Sequence, residues 1–199
     1  MSIDKIVPLE RAYELVEELK CRGQRVVFTN GCFDLLHVGH TRLLEEARKL
    51  GDILIVAVNS DRSVRALKGP DRPLQPEIER AEVLAALAAV DYVTIFDDPS
   101  VLGVVTRILP DVLVKGGDYT PDKVVGHAEI EGASGRVVQI PIEKDCSTTA
   151  LIQAARKATS SPRQRVVVAS GRSIPRHKKG AAKNANVGHN SLSELGRSG

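Results

Sequence analysis

The feature that most constrains the fold is an apolar run that does not alternate with polar residues, 52-DILIVAV-58. A half-buried strand alternates apolar and polar side chains, whereas a parallel strand covered on both faces reads as a continuous apolar run. Similar short runs occur at 25-RVVFT-29, 91-DYVTIF-96, 111-DVLVK-115 and 136-RVVQI-140. Parallel strands need crossover connections, so helices are expected between these runs.

Helical periodicity fills the intervening segments. Helices are predicted at 8–22, 40–50, 61–67, 77–89, 100–109 and 149–158. Strands that alternate with helices favour an α/β fold with a Rossmann-like, doubly wound and mostly parallel sheet in a single domain. Such sheets bind ligands at the carboxyl ends of their strands, near the point where strand order reverses. A site is therefore expected after residues 29, 58, 115 and 140.

Charge is unevenly distributed along the chain. Residues 161–199 carry eight Lys and Arg against one Glu, whereas residues 1–160 carry 20 against 24 acidic residues. The segment 161–199 also has no sustained apolar pattern, which predicts a basic, disordered tail after a domain over residues 1–160. Its charge would attract nucleic acid or anionic lipid without specificity, or the tail is a solvated extension. We expect no specific nucleic-acid partner.

The cysteines and the N-terminus indicate the compartment. Cys21, Cys32 and Cys146 are odd in number and form no CxxC pair, which argues against a disulfide framework and a zinc ribbon. Residues 1–14 carry charges throughout and contain no apolar signal core. The longest apolar run, 53–58, is far shorter than the roughly 20 residues of a membrane helix. We expect a cytoplasmic protein with no membrane partner.

A histidine pair follows the first predicted strand, in 30-NGCFDLLHVGH-40. His37 and His40 are too few for zinc, which takes three or four ligands, so no protein-held metal is expected. The pair would then either lie at a helix start without binding a ligand, or bind phosphate. Phosphate is favoured, because free amides and the dipole at a helix N-terminus attract anions and Gly39 allows close approach. Imidazoles donate hydrogen bonds to phosphoryl oxygens. The dehydrogenase fingerprint GxGxxG and the P-loop are absent.

The segment 30–40 resembles the signature of the HxGH nucleotidyltransferases, the cytidylyltransferase-like superfamily. Their shared reaction is attack by a phosphate, or in some relatives a carboxylate, on the α-phosphorus of a nucleoside triphosphate, which releases pyrophosphate. Further runs are similar to the adenylyltransferase half of the bifunctional heptose kinase/adenylyltransferases: 58-VNSDRSVRALKGPDRP-73, 79-ERAEVLAALAAVDYV-93, 110-PDVLVKGGDY-119 and 146-CSTT-149. The resemblance covers about residues 8–158.

The resemblance implies a stand-alone adenylyltransferase, because the sugar-kinase half is missing from this sequence. It would transfer AMP from ATP to D-glycero-β-D-manno-heptose 1-phosphate, giving ADP-heptose and pyrophosphate. A cytidylyltransferase for glycerol 3-phosphate or a related small phosphate is an alternative of the same class. A non-catalytic nucleotide-binding module is an alternative of another class. Members of the family are often dimeric, so a homodimer is also open.

The resemblance assigns the histidines to catalysis. It implies that His37 and His40 contact the triphosphate and stabilise the pentavalent α-phosphorus. Lys115 is the third catalytic candidate, because a lysine that ends a buried strand is costly without an anionic partner, either a ligand or a structural Asp. A sugar phosphate is already ionised near neutral pH, so alignment and charge neutralisation suffice without a general base. Mg²⁺ is expected with ATP, held mainly by phosphates and water.

Two further sets of site residues follow from the matched motifs. The candidates for nucleotide binding are Thr29, Asn30, Gly31, Phe33, Gly39, Arg80, Gly117, Asp118, Ser147, Thr148 and Thr149. The candidates for binding the sugar phosphate are Asp34, Asn59, Lys68 and Arg72. Structural alternatives remain for several of them. Asp34 would bind the loop backbone, Arg80 would be a surface charge or an ion-pair partner, and Ser147–Thr149 would cap a helix.

Overall fold

The computed structural model describes residues 2–117, 120–141 and 147–160. Within these ranges the strands are β1 (Val26–Gly31), β2 (Ile53–Asn59), β3 (Tyr92–Phe96), β4 (Val112–Gly116) and β5 (Arg136–Ile140). They form one sheet in the order β3-β2-β1-β4-β5, and every neighbouring pair is parallel. The strand order reverses between β1 and β4. The expected α/β doubly wound fold is confirmed, with an all-parallel sheet.

In the described part of the chain, six of the seven helices lie in segments where the sequence predicted a helix. The seven are α1 (Leu9–Cys21), α2 (Val38–Arg48), α3 (Asp61–Lys68), α4 (Glu77–Ala85), α5 (Leu102–Ile108), α6 (His127–Gly132) and α7 (Thr148–Ser160), with 3₁₀ turns at Ser2–Lys5 and Pro121–Lys123. Helix α6 was not predicted, because its six residues bury one side chain, Ile130, which is too little to produce a helical period. Helix α4 ends four residues before the predicted position. Lys5 Nζ binds the carbonyls of Leu87 and Val90 in the segment that follows it, at 3.3 and 2.7 Å.

The core lies on both faces of the sheet. Phe28 and Ile55 pack on one face with α1 and α5, and Val27 and Val56 pack on the other face with α2 and α4. All four side chains are fully buried. Successive residues of each inner strand therefore enter two different hydrophobic layers, which explains why the apolar runs do not alternate.

Aspartates at the amino ends of the strands fix which strands lie side by side. Asp111, just before β4, accepts a hydrogen bond from the backbone N–H of Val26 at 2.7 Å. Asp91, just before β3, accepts one from the N–H of Leu54 at 2.8 Å. These contacts anchor one end of the sheet and leave the opposite, carboxyl end for ligands.

Several predictions concern residues outside the described ranges. They are the basic segment 161–199, the nucleotide-binding candidate Asp118 and Cys146, the first residue of the matched motif 146–149. Among the helices that the structure describes, none combines the length and the apolar character needed to span a bilayer.

Candidate active site

A cleft opens at the carboxyl ends of β1, β2 and β4, where the strand order reverses. It consists of three adjoining cavities of about 310, 320 and 270 Å³, all of which Cys32 lines. The β4 cavity includes Phe33, His40, Lys115 and Lys123–Val125 in its wall. The α3 cavity includes Asn59, Leu67, Lys68, Pro99–Val101 and Lys115. The α7 cavity includes Phe33, His40, Lys68, Arg72, Thr148 and Thr149. The position agrees with the rule for doubly wound sheets.

The histidine pair opens α2, as predicted. His37 is the N-cap residue, with an extended backbone, and His40 lies in the first turn. The two imidazole rings stack, with centroids 3.8 Å apart and an interplanar angle of 25°. The ring of Phe33 lies 5.2 Å from the ring of His40 at 59°. His40 lines the β4 and α7 cavities, and the ring of His37, which is not among the described lining residues of the three cavities, stacks on it.

Both imidazoles are neutral near pH 7. Burial lowers the pKa of His37, and burial together with the nearby His37 lowers the pKa of His40 to about 4. Within the described part of the chain, Nδ1 of each ring is buried and has no hydrogen-bond partner. A buried N–H without an acceptor is rarer and costlier than a buried lone pair, so the proton is assigned to Nε2 in each ring. Each histidine is then a hydrogen-bond donor through Nε2.

Phe33 has a backbone conformation that few side chains adopt. Its φ of +44° lies in the left-handed region, which costs a non-glycine residue about 1–2 kcal/mol. Gly31 allows the Phe33 ring to fold back, because a Cβ at Gly31 would lie 3.1 Å from ring atom Cε2. The Phe33 side chain is buried as a result, next to His40.

Asp34 binds the loop backbone, which is the structural alternative expected for it. Its Oδ2 accepts a hydrogen bond from Arg72 Nε at 2.5 Å, and its Oδ1 accepts from the N–H groups of Leu74 and Gln75 at 2.7 and 3.1 Å. The residue is 1 % exposed. Both carboxylate oxygens are therefore used inside the protein, and the prediction of a substrate contact does not fit this placement.

Arg80 is also buried, at 1 % exposure, although the sequence suggested a nucleotide contact or a surface charge. Its Nε donates to the carbonyl of Gln75 at 3.0 Å and its Nη1 to the carbonyl of Cys32 at 2.5 Å. Its Nη2 lies 2.7 Å from Asp61 Oδ1, so the ion-pair alternative is the one that is observed. The guanidinium lies behind the loop that follows β1, and a direct nucleotide contact does not fit this placement.

Lys115, on β4, contacts Asn30 on β1, the neighbouring strand at the point where the strand order reverses. Its Nζ lies 2.7 Å from Asn30 Oδ1 and 3.5 Å from the Asn30 carbonyl. Burial lowers the pKa of Lys115 to about 8. Among the described residues, no carboxylate forms an ion pair with it. The described part of the chain thus offers no structural Asp for this lysine, and Asp118 lies outside the described ranges. A buried cation of this kind is suited to an anionic ligand.

The remaining phosphate-binding candidates lie around the α7 cavity. Lys68 and Arg72 line it, together with Thr148 and Thr149 at the start of α7. Ser147 caps this helix, since its Oγ accepts a hydrogen bond from the N–H of Ala150 at 3.1 Å. Thr148 Oγ1 donates to the carbonyl of Leu35 at 3.1 Å, which holds the start of α7 against the loop after β1.

Four other predicted residues take positions set by the strands and helices. Thr29 is buried on β1, and Gly39 is buried in the first turn of α2. Asn59 ends β2, lines the α3 cavity and donates through Nδ2 to Ser63 Oγ at 2.9 Å. Gly117 follows β4, and its N–H donates to the carbonyl of Ile140 at 3.1 Å.

Part of the cleft wall was missed at the sequence level. Lys123, Val124 and Val125 line the β4 cavity, and Lys123 adds a cation to it. Gly126 follows this segment with a φ of +91°, and a Cβ added there would clash with Val105 Cγ1 at 2.4 Å. The backbone conformation at this position therefore requires glycine. The rule that loops after parallel strands carry sites would have pointed to this segment, because it follows β4.

The donors in the described part of the cleft do not form a protein site for a divalent cation. Asp34 is the one carboxylate among the described cavity-lining residues, and both of its oxygens are occupied. No group of three or more His, Cys, Asp or Glu with metal-binding proximity occurs in the described ranges. Mg²⁺ prefers oxygen ligands, so the ligands would have to come from elsewhere than these side chains.

The chain is similar to one known protein family and to several curated proteins. The family described as Cytidylyltransferase-like matches residues 28–154. The bifunctional protein HldE of Syntrophotalea carbinolica is 52 % identical over 149 residues, which cover 75 % of this chain and 30 % of that protein. HldE of Koribacter versatilis is 54 % identical over 149 residues, with 75 % and 31 % covered. The chain thus spans about a third of the length of these relatives.

Solved structures share the fold. The lipopolysaccharide core biosynthesis protein from Thermoplasma volcanium GSS1 aligns with a TM-score of 0.51 and 30 % identity, covering 61 % of this chain and 98 % of that one. A pantoate-beta-alanine ligase from Francisella tularensis, complexed with beta-gamma ATP and beta-alanine, aligns with a TM-score of 0.51 and 76 % coverage of both chains. Its 16 % identity indicates the fold alone. Given the family match over residues 28–154, this chain belongs to the cytidylyltransferase-like family and is a nucleotidyltransferase.

Proposed function

We propose that the chain transfers AMP from ATP to D-glycero-β-D-manno-heptose 1-phosphate, forming ADP-heptose and pyrophosphate. The observation that carries the proposal is the neutral, stacked pair of His37 and His40 at the start of α2, next to a cleft lined by cations. The heptose and the adenine rest on resemblance, supported by about 50 % identity to proteins named HldE. The solved relative named as a lipopolysaccharide core biosynthesis protein supports the same context.

The reaction forms one bond and breaks one. A phosphate oxygen of the sugar phosphate attacks the α-phosphorus, the bond from that phosphorus to the bridging oxygen breaks, and pyrophosphate leaves with the electron pair. The nucleophile is already ionised, so no residue needs to remove a proton. The Nε2–H groups of His37 and His40 would donate to the α-phosphoryl oxygens as these gain charge, which stabilises the transition state.

We assign a pyrophosphate side and an acceptor side to the cleft from the positions of its cations, with Lys68 lining cavities on both sides. Lys68 and Arg72, which the sequence assigned to the sugar phosphate, surround the α7 cavity together with the start of α7. Cations beside helix amides suit the β- and γ-phosphates, so we propose these two residues for ATP instead. Lys115 lies between the β4 and α3 cavities and would attract the acceptor phosphate on the opposite side of the α-phosphorus. Mg²⁺ would accompany ATP, held by phosphate oxygens and water, and would neutralise part of the phosphate charge.

The proposal is tested by incubating the purified chain with paired substrates and measuring pyrophosphate release and the nucleotide sugar formed. ATP with the β-anomer of heptose 1-phosphate is expected to give ADP-heptose. The α-anomer and CTP with glycerol 3-phosphate serve as matched alternatives. Faster turnover with either alternative would reject the named substrate pair and keep the reaction class. ATP binding without pyrophosphate release from any pair would instead support a non-catalytic module.

Compartment and assembly follow from the same proposal. ATP and sugar phosphates are small-molecule substrates of the cytoplasm, so we assign the chain to that compartment and to no specific nucleic-acid or membrane partner. A homodimer is proposed from the family resemblance. Light scattering coupled to size-exclusion chromatography would distinguish a dimer from the 21.5 kDa chain.

A further inference from the structure

Arg80 is the largest of the fully buried side chains. A charged group taken out of water is costly unless its hydrogen bonds are satisfied and its charge is paired. Arg80 belongs to α4, and the described walls of the three cavities do not include it. Its burial therefore needs a reason other than contact with a ligand.

The guanidinium of Arg80 connects three separate segments. It reaches the carbonyl of Gln75 before α4, the carboxylate of Asp61 at the start of α3, and the carbonyl of Cys32 in the loop after β1. The contact with Cys32 joins positions 48 residues apart. An ion pair with Asp61 alone would use one edge of the guanidinium. The remaining donors bind the carbonyls of Gln75 and Cys32, and Cys32 lines all three cavities of the cleft.

The carbonyl of Cys32 controls the conformation of the next residue. This carbonyl belongs to the peptide unit between Cys32 and Phe33. Rotation of that unit about the N–Cα bond of Phe33 changes the φ angle of Phe33. That angle is +44°, a conformation that persists only when neighbouring contacts hold it. The Phe33 ring in turn contacts the ring of His40, with centroids 5.2 Å apart. An unbroken series of contacts thus links Arg80 to His40.

We propose that Arg80 is a positioning residue, which holds the Cys32 carbonyl so that Phe33 stays in its left-handed conformation and orients the His40 ring. The catalytic consequence rests on the proposed function, since it assumes that His40 acts at the α-phosphorus. The structural consequence, a fixed His40 ring, does not depend on the substrate.

The chain offers a matched control in Arg48. Its Nε lies 2.9 Å from Asp91 Oδ2 and its Nη1 donates to the carbonyl of Gly51 at 2.7 Å, so it also bridges a carboxylate and a backbone carbonyl. It does so at the amino ends of the strands, away from the cleft. A lysine at either position keeps the charge and loses the forked geometry. Only the change at Arg80 is expected to reach His40.

The experiment compares the full chain with its Arg80→Lys and Arg48→Lys variants. The ring resonances of His40, assigned with a His40→Gln variant, are recorded by NMR without ligand, and kcat and KM are measured beside them. Arg80→Lys is expected to shift the His40 resonances and to lower kcat by about 10- to 100-fold, with a smaller change in KM for ATP, because misplacing a catalytic group costs rate. Arg48→Lys is expected to lower the melting temperature without moving those resonances.

His40 resonances that move no further in Arg80→Lys than in Arg48→Lys would overturn the proposal, whatever happens to activity. If Arg80→Lys does not fold, Asp61→Asn removes the paired charge and leaves Arg80 in place. It is expected to shift the same resonances in the same direction by less, and unchanged resonances would again reject the proposal. A wild-type chain inactive with every substrate pair would contradict the proposed function, while the resonance comparison would still decide the role of Arg80.

Discussion

At the residue scale, the cleft combines uncharged imidazoles with a lysine whose charge is held at a cost. Burial lowers the pKa of His40 to about 4 and that of Lys115 to about 8. Both shifts have desolvation as their largest cause, and both are reduced when an anion binds, because a negative ligand favours the charged form. A bound phosphate would therefore offset the cost of burying the charge of Lys115.

The histidine pair should affect the rate more than binding. We expect His37→Ala and His40→Ala each to lower kcat by at least about 10², as for the loss of a transition-state hydrogen-bond donor. Steady-state kinetics with the preferred substrate pair would measure this. His127→Ala is the control, since His127 pairs with Glu131 at 3.3 Å on α6, and it should leave kcat unchanged. A variant that weakened ATP binding but kept the wild-type kcat would contradict the transition-state role.

Lys115 should produce an alkaline limb in the pH profile. Because its pKa is about 8 in the free protein, the cation is present below that pH and is lost above it. The value of kcat/KM is therefore expected to fall as pH rises through about 8. Arginine stays charged throughout, so Lys115→Arg should move or remove this limb even if it lowers the rate. An unchanged limb in that variant would assign the titration to another group.

The same lysine should lower stability in the absence of ligand. Its folded pKa is below the unfolded value of 10.5, so the charged form destabilises the folded state below about pH 8, and this penalty decreases as pH rises towards 10.5. We expect Lys115→Met to raise the free energy of unfolding at pH 7 by roughly 1–3 kcal/mol, less the hydrogen bond to Asn30. Denaturant unfolding at pH 7 and 9 would measure it, and a variant less stable than the wild type would contradict this account.

At the element scale, short connections form the cleft wall together with the ends of β1, β2 and β4. The 3₁₀ turn Pro121–Lys123 and the residues up to Gly126 carry the wall of the β4 cavity. The start of α7 is held against the loop after β1 by Thr148 and Leu35. Single substitutions in these connections should therefore change the cleft while the sheet stays intact.

Gly126→Ala tests this dependence. The residue has φ of +91°, and an added Cβ would meet Val105 at 2.4 Å. We expect a loss of about 1–3 kcal/mol of stability and a raised KM, because Val124 and Val125 must move. Gly103→Ala in α5 is the matched control, since nothing lies within 4 Å of its added Cβ. It should be neutral or stabilising by up to about 1 kcal/mol, as for alanine in a helix. Equal melting temperatures for the two variants would contradict the prediction.

At the scale of the whole molecule, the domain boundary predicted at residue 160 remains to be tested. A chain ending there lacks the segment with eight basic residues and one acidic residue. We expect residues 1–160 to fold and to keep the wild-type kcat. Retention of the full chain on an anionic resin should fall steeply with salt and be lost on truncation, because the excess of basic over acidic residues lies in 161–199. Salt-sensitive retention that survived truncation would place the cationic surface on the folded domain.

The sequence predicted the parts of the structure that depend on local pattern. The run 52–58 indicated a strand covered on both faces, and the segment around His37 and His40 indicated a helix start, which lies at Val38. It did not reveal that Arg80 is buried. A helical pattern places an arginine on the surface by default, and only the carbonyls of Cys32 and Gln75, brought together by the fold, make its burial favourable. For Asp34 the sequence left a substrate contact and a loop-backbone contact open, and only the fold shows that its carboxylate accepts from the N–H groups of Leu74 and Gln75.

The contact between Asn30 and Lys115 spans 85 positions of the chain. During synthesis β1 and the histidine pair leave the ribosome long before β4. The nascent chain therefore has the histidines proposed to donate hydrogen bonds to phosphate before it has Lys115. Loop closure over such a distance comes late in folding. Nucleotide binding would thus require that β1 and β4 have already paired, and ATP would stabilise only chains in which this pairing has formed.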